Sequence, residues 1–269
     1  MHVSVGLVTR MPKPSAPCIT RWLCARLRDR SLLAIYNQEM ATTRRSKQAR
    51  QTGNWIGRLR NRYLSRHFSG SATYWESRYV AGRNSGAGSY GELATFKANF
   101  INDFVAGSGV SSVIEYGCGD GNQLALAEYP SYIGFDVSTT AIELCRSKFQ
   151  NDLTKRFELS EDFGGEVGDL TLSLDVIYHL IEDDVFHSYM ELLFRTSRRF
   201  VIVYSSNMEG SFGGGAAHVR HRFFSEWVEK NCPNWTLLQH LPNQYPTRTP
   251  NDGGSFADFY VYGFAASRS

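Results

Sequence analysis

Ser112-Val113-Ile114-Glu115-Tyr116-Gly117-Cys118-Gly119-Asp120-Gly121-Asn122-Gln123-Leu124 is the stretch whose reading decides the fold. A short apolar run, bounded by glycines, reads as a strand buried on both faces. The glycines make a tight turn that exposes backbone N–H groups and admits a ligand close to the main chain. A helix is expected to open from this turn, over about 121–128. A dinucleotide site would need a third glycine in G-x-G-x-x-G, and that position is Asn122. The pattern is instead E-x-G-x-G-x-G, with Glu115 at the end of the strand. An acid there suits a cationic ligand end, such as an amino-acid ammonium, and repels a pyrophosphate.

Downstream, Tyr132-Ile133-Gly134-Phe135-Asp136 reads as a second strand, and Asp136 lies 21 residues after Glu115. A carboxylate at the carboxyl end of a neighbouring strand can accept both hydroxyls of a ribose. Charged hydrogen bonds of that kind are worth about 1.5–3 kcal/mol each where water is excluded. Further strands read at about 156–159, 170–176 and 199–205, with helices near 139–149, 183–196 and 222–230. Upstream, Leu93, Phe96, Phe100, Ile101, Phe104 and Val105 mark one face of a helix that ends near 106, and Ser89 and Glu92 form an S-x-x-E capping box at its start. Alternating strands and helices predict a mostly parallel sheet covered on both faces. Trp235–Leu241 and Phe256–Phe264 break the alternation as consecutive strands, so the last one is expected to run antiparallel.

These residues resemble the class I S-adenosylmethionine-dependent methyltransferases. The resemblance spans about residues 74–264 and is most specific at Glu115, Gly117, Gly119, Gly121 and Asp136. It implies an α/β, Rossmann-like, doubly wound seven-stranded sheet with S-adenosylmethionine as cofactor. The glycine turn would hold the methionine portion and Asp136 the ribose. An acid after the third strand meets the adenine amino group in that family, and Asp162, followed by Phe163, occupies that place. Arg78, four residues after Tyr74 on a helix expected to close over the cofactor, is a candidate to pair the methionine carboxylate; the plainer reading is a surface arginine.

For the chemistry, His179 stands at the carboxyl end of the fourth strand. With an ordinary pKa of about 6.5 it suits a general base toward a hydroxyl; a structural role beside the cofactor is the other reading. Asp175 either orients it or lines the pocket. The cluster His218-Val219-Arg220-His221-Arg222 suits an acidic or polyhydroxylated methyl acceptor, a solvated charge cluster being the alternative. The loop from Asn243 to Asn251 reads as a lid. Neither the paired acids of a metal-dependent O-methyltransferase nor the Asn/Asp-Pro-Pro-Tyr/Phe string of amino-group methyltransferases is present, so no metal is expected. The expected function is methyl transfer to a small-molecule or glycan acceptor, at a hydroxyl. An aminopropyl transferase using decarboxylated cofactor and a non-catalytic cofactor-binding module are the alternatives.

The rest of the chain frames this domain. Of 269 residues, 42% are hydrophobic and 20% charged, which excludes a disordered or fibrous chain. No apolar run approaches the roughly 18 residues of a spanning helix. The net charge of +3 averages two unlike parts: residues 1–66 hold 14 Lys and Arg against 2 Asp and Glu, and the remainder holds 15 against 24. The chain therefore divides into a basic N-terminal extension (1–66) and a mildly acidic methyltransferase domain (67–269). Residues 1–40 are Arg-rich like an organellar transit segment, with a start at Met40 as the other reading. Trp55, Ile56, Leu59, Tyr63, Leu64 and Phe68 recur at helical spacing among arginines. This predicts a basic amphipathic helix over 44–68, suited to packing on the domain or to weak contact with an anionic surface. No nucleic-acid signature accompanies it, so no nucleic-acid partner is expected. Five cysteines, without a C-x-x-C pair, point to a reducing, cytoplasmic setting.

Overall fold

Five strands run parallel at the centre of the fold: β1 (Val113–Tyr116), β2 (Tyr132–Asp136), β3 (Lys155–Leu159), β4 (Gly168–Leu174) and β5 (Ser197–Ser205). With β6 (Trp235–Leu241) and β7 (Asp258–Phe264) they form one seven-stranded sheet in the order β3-β2-β1-β4-β5-β7-β6. β7 lies antiparallel between β5 and β6, so one reversed strand sits inside an otherwise parallel sheet. The computed structural model describes residues 70–210, 216–247 and 253–265. The basic extension, the helix expected over 44–68 and part of the expected lid lie outside the described residues.

Side-chain alternation along the strands sorts the core into two layers. On β5, Ile202 and Tyr204 join one cluster with Val113, Leu170 and Leu172, while Val201 and Val203 join the other with Ile114 and Tyr116. The first layer is capped by α2 (Gly91–Ser108), through Ile101, Phe104 and Val105. The second is capped by α4 (Asp183–Arg195) and α5 (Phe224–Asn231), through Phe186, Met190, Leu193, Phe224 and Val228. Met190 and Leu193 have no exposed surface. Truncating either to alanine would cost about 2–5 kcal/mol. Two further helices flank the site, α1 (Ser71–Val80) and α3 (Thr139–Lys148). Ser138 caps α3, its Oγ accepting from the Ala141 N–H at 3.0 Å.

Two local expectations differ from the structure. The helix expected over 121–128 is a single 3-10 turn, Leu124–Leu126. Asn122 and Gln123 donate side-chain hydrogen bonds to the Ser89 and Ala94 carbonyls, at 2.7 and 3.0 Å, which ties the segment to α2. Ala127 is already extended, and Pro130 disfavours helical backbone at Tyr129. The capping box is not formed either. Tyr90 is the N-cap of α2 and no side chain bonds there, while the Ser89 carbonyl receives Asn122. Because β1 to β5 are parallel, their carboxyl ends meet at one edge, where ligands bind in sheets of this kind.

Candidate functional site

A cavity of about 550 Å³ opens at that edge, lined by Lys97, Glu115, Gly117, Asp136, Asp175 and His179 among others. The turn after β1 shapes its floor. Gly117, Gly119 and Gly121 have φ of +88°, +58° and +67°, a region that side-chain-bearing residues rarely adopt. At Gly119 space matters as much as φ: a Cβ there would lie 2.4 Å from Ser85 Oγ and 2.9 Å from Tyr79 Oη. The segment after α1 therefore rests directly on the glycine turn. Asp120 holds it there. Its carboxylate accepts from the Ser85 N–H at 3.0 Å and the Tyr90 hydroxyl at 2.8 Å, and its own N–H donates to Ser85 Oγ at 3.0 Å. Burial raises the Asp120 pKa, but the bonds from Ser85, Tyr90 and Asn122 together outweigh it and leave the carboxyl below its ordinary value.

Asp136 ends β2 and is buried beside the turn. One oxygen accepts the Gly119 N–H and the other the Ser138 N–H, both at 2.9 Å. Burial nevertheless pushes its pKa up. Asp136 also lines the cavity, where a carboxylate can accept further hydrogen bonds. Glu115 lies deeper. Burial lifts its pKa to about 7, against the hydrogen bond from the Tyr132 hydroxyl at 2.7 Å and the pull of Lys97.

Lys97 was not legible as a site residue from motif spacing. It has no exposed surface, its ammonium donates to Asp175 Oδ2 at 2.6 Å, and it stands 5.2 Å from the Tyr204 ring centroid. The available signal was its place in the apolar stripe of α2, four residues after Leu93 and four before Ile101. A charged residue inside such a stripe is rarely buried without a partner. Asp175 is that partner, and Tyr178 Oη donates to its other oxygen at 2.7 Å. Among the described residues Asp175 is the non-glycine with positive φ, +62°. Such strain persists where the surroundings over-determine it, and it clusters at functional sites. Gln123 also lines the cavity; its Oε1 is buried without a hydrogen-bond partner.

His179 ends the 3-10 turn Ile177–His179 after β4 and lines the same cavity. Its Nδ1 lies 2.8 Å from the His218 carbonyl. A carbonyl only accepts, so Nδ1 carries the proton and Nε2 is the bare nitrogen of the neutral ring. Burial pulls its pKa down to about 4, so the ring is neutral at physiological pH. Trp75 packs edge-on against it at 4.9 Å, and Tyr74 stacks on His218 at 4.4 Å.

The structure thus brings Glu115, Gly117, Gly119, Asp136 and His179 to one cavity, with Gly121 in the same turn. Arg78 and Asp162 are not among its lining residues. Arg78 Nε instead donates to the Asn84 carbonyl at 2.6 Å. Asp162 is exposed at the end of a 3-10 turn whose first residue, Ser160, faces the cavity in its place. The Arg220 and Arg222 guanidiniums brace the turn before α4, bonding the Leu180 and Ile181 carbonyls and Asp183. His221 is buried, with its Nδ1 2.7 Å from Ser206 Oγ.

No known protein-family profile matches the chain, and no curated protein matches it. Solved structures do. Magnesium protoporphyrin IX methyltransferase from Synechocystis PCC 6803, with bound S-adenosylmethionine, matches with a TM-score of 0.53 and 14% identity over 72% of this chain and 97% of that one. The methyltransferase domain of bacterial CtHen1-C matches with a TM-score of 0.51 and 19% identity, over 63% of this chain and 97% of that one. N-methyltransferase NodS from Bradyrhizobium japonicum WM9, in complex with S-adenosyl-L-homocysteine, gives 0.50 and 14%, over 64% and 87%. Together with the strand order and the reversed β7, these likenesses establish that the chain has the class I methyltransferase fold.

Proposed function

We propose that the chain binds S-adenosylmethionine in this cavity and transfers its methyl group to a hydroxyl of a small-molecule or glycan acceptor. One observation carries the cofactor assignment. The turn through Gly117 and Gly119, a buried carboxylate at Asp136 and an unpartnered buried oxygen at Gln123 line a single cavity. The turn admits a ligand against its backbone, Asp136 suits two ribose hydroxyls, and Gln123 Oε1 suits an ammonium proton. Bound there, the cofactor supplies an electrophilic methyl on a sulfonium.

The chain's own part is to align and to exclude water. Alignment of a methyl acceptor with a reacting centre can supply about 7–11 kcal/mol of the barrier. His179 presents a neutral ring with an unprotonated Nε2 as the candidate acceptor of the hydroxyl proton, but its pKa of about 4 makes it a weak base, so alignment carries the larger share of the catalysis. A hydroxyl acceptor is favoured over a strongly acidic one because Arg220 and Arg222 are engaged by Asp183 and backbone carbonyls. Among the described residues no helix is long and apolar enough to cross a membrane. A cytoplasmic setting belongs to the same reading and rests on the cysteine usage. The basic extension, 1–66, has no part in the proposed chemistry.

The test is transfer of labelled methyl from S-adenosylmethionine into a cell extract, followed by mass spectrometry. A labelled small molecule or glycan is expected. Label in RNA or protein would overturn the acceptor class. Tight cofactor binding with label only in hydrolysis products would reduce the chain to a binding module.

A further inference from the structure

His179 owes its tautomer to one backbone atom. The His218 carbonyl stands 2.8 Å from Nδ1. A proton on Nδ1 makes a hydrogen bond there, whereas a bare Nδ1 would set two lone pairs against each other. The bond that one ring nitrogen makes decides which nitrogen is left bare. That carbonyl belongs to a turn outside every helix and strand, in which the Val219 N–H donates to the Ala216 carbonyl at 3.0 Å. Contacts from other elements hold the turn in place. The Arg220 N–H donates to the Tyr178 carbonyl at 2.8 Å. The His218 ring stacks on Tyr74 of α1, with centroids 4.4 Å and planes 12° apart. Ser71 and Trp75 lie three residues before and one residue after Tyr74, so the three share one face of α1. Ser71 Oγ is 2.8 Å from the His179 carbonyl, and Trp75 packs edge-on against the His179 ring at 4.9 Å. This face of α1 therefore meets His179 at its carbonyl, at its ring and, through His218, at the acceptor of its ring proton.

We propose that Tyr74 is a positioning residue for His179: by stacking on His218 it holds the carbonyl that keeps the proton on Nδ1 and leaves Nε2 bare. This rests on the reading of His179 as proton acceptor in methyl transfer. Ser71 and Trp75 line the cavity, so a change at either disturbs ligand binding as well. Tyr74 is not among the lining residues and acts through His218, which separates the two effects. The stack needs a ring and not a hydroxyl. A turn that loses it can move its carbonyl away from Nδ1, and the ring is then free to carry its proton on Nε2. In that form Nε2 is a donor and accepts nothing. His179 is thus ready as a base only while α1 is seated, so the helix that flanks the cavity also sets the state of the group beside it.

Nitrogen-15 NMR of the full chain, labelled at histidine and without ligand, reads the tautomer directly. The signals of residue 179 are those that vanish in His179→Gln. The unaltered chain should show a neutral His179 with its proton on Nδ1. Tyr74→Ala should shift the balance toward the Nε2-protonated form by roughly 2- to 10-fold, the range of one aromatic pair. Transfer of labelled methyl from S-adenosylmethionine into a cell extract should slow by a similar factor, while calorimetry shows S-adenosylhomocysteine binding unchanged. Tyr74→Phe keeps the ring and should restore both the tautomer and the rate. Tyr74→Leu keeps bulk without the stack; it should behave as the alanine variant does, and it takes that variant's place should Tyr74→Ala fail to fold. An unshifted tautomer in the alanine and leucine variants would overturn the proposal, as would an equal shift in Tyr74→Phe. A shifted tautomer with undiminished transfer would leave Tyr74 as the residue that sets the ring and would remove His179 as base.

Discussion

Asp120 and Ser85 exchange hydrogen bonds in both directions. The Asp120 N–H donates to Ser85 Oγ, and the Ser85 N–H donates to Asp120 Oδ2, each at 3.0 Å. Asp120 belongs to the glycine turn and Ser85 to the loop that covers it, so the pair is the clasp by which the cover holds to the floor. Tyr90, from the start of α2, fastens the same carboxylate.

Breaking the clasp should loosen the cover more than the fold. Ser85→Ala removes the Oγ bonds to the Asp120 N–H and the Tyr79 hydroxyl, and Asp120→Asn weakens the set, each costing about 1–2 kcal/mol of stability. Calorimetry is expected to show S-adenosylhomocysteine binding weakened by roughly tenfold. Limited proteolysis should show faster cleavage between residues 82 and 89. Unchanged cleavage would mean that the cover is held by other contacts.

The glycine turn tolerates less. Gly119→Arg combines φ of +58° with a Cβ that would lie 2.4 Å from Ser85 Oγ, and should abolish cofactor binding. Asp136→Ala removes the acceptor of the Gly119 and Ser138 N–H groups together with the proposed ribose contact, and should do the same. Unaltered binding by both variants in calorimetry would sink the cofactor assignment.

His179→Ala should slow methyl transfer without weakening cofactor binding. The ring hydrogen-bonds the His218 carbonyl and packs on Trp75, so the alanine variant also loses packing. His179→Gln is the better probe, since it keeps a donor toward that carbonyl. Turnover equal to that of the unaltered chain in the glutamine variant would remove His179 as base.

Glu115 and His179 make opposite demands on pH. Burial raises Glu115 from 4.5 to about 7, a stabilisation present below its unfolded pKa and lost as pH rises toward 7. Burial lowers His179 from 6.5 to about 4, a stabilisation present above its unfolded pKa and lost as pH falls toward 4. Each is on the order of 3 kcal/mol, and the two oppose each other between about pH 4.5 and 6.5. Glu115→Gln should make stability rise with pH across that window, and His179→Gln should make it fall. Urea midpoints measured at pH 4.5 and 6.5 check both signs.

Much of this architecture can be read from residue pattern alone. The β-strands are short apolar runs between turn residues, and the E-x-G-x-G-x-G spacing marks the turn that floors the cavity. What pattern could not supply was tertiary competition for side chains. Asn122 and Gln123 look like the first turn of a helix, but their amides bond the Ser89 carbonyl just before α2 and the Ala94 carbonyl within it instead. Ser89 looks like a cap, but its carbonyl serves Asn122. Arg78 is spaced to reach the methionine end, yet a nearer carbonyl, Asn84, takes it. Lys97 is a charge set in an apolar stripe, and its burial against Asp175 is what makes it a residue of the cavity.

The place of β7 between β5 and β6 has a consequence for biosynthesis. β5 emerges from the ribosome well before its partner, and β6 precedes its only neighbour in the sheet. Until residues 258–264 are made, β5 carries an open edge and β6 has nothing to pair with. Domains form from the N-terminal side during synthesis, and unpaired edges invite association with other chains. The nascent chain is therefore most exposed to aggregation just before its seventh strand arrives, and a stop codon ahead of residue 258 would cost the sheet two strands rather than one.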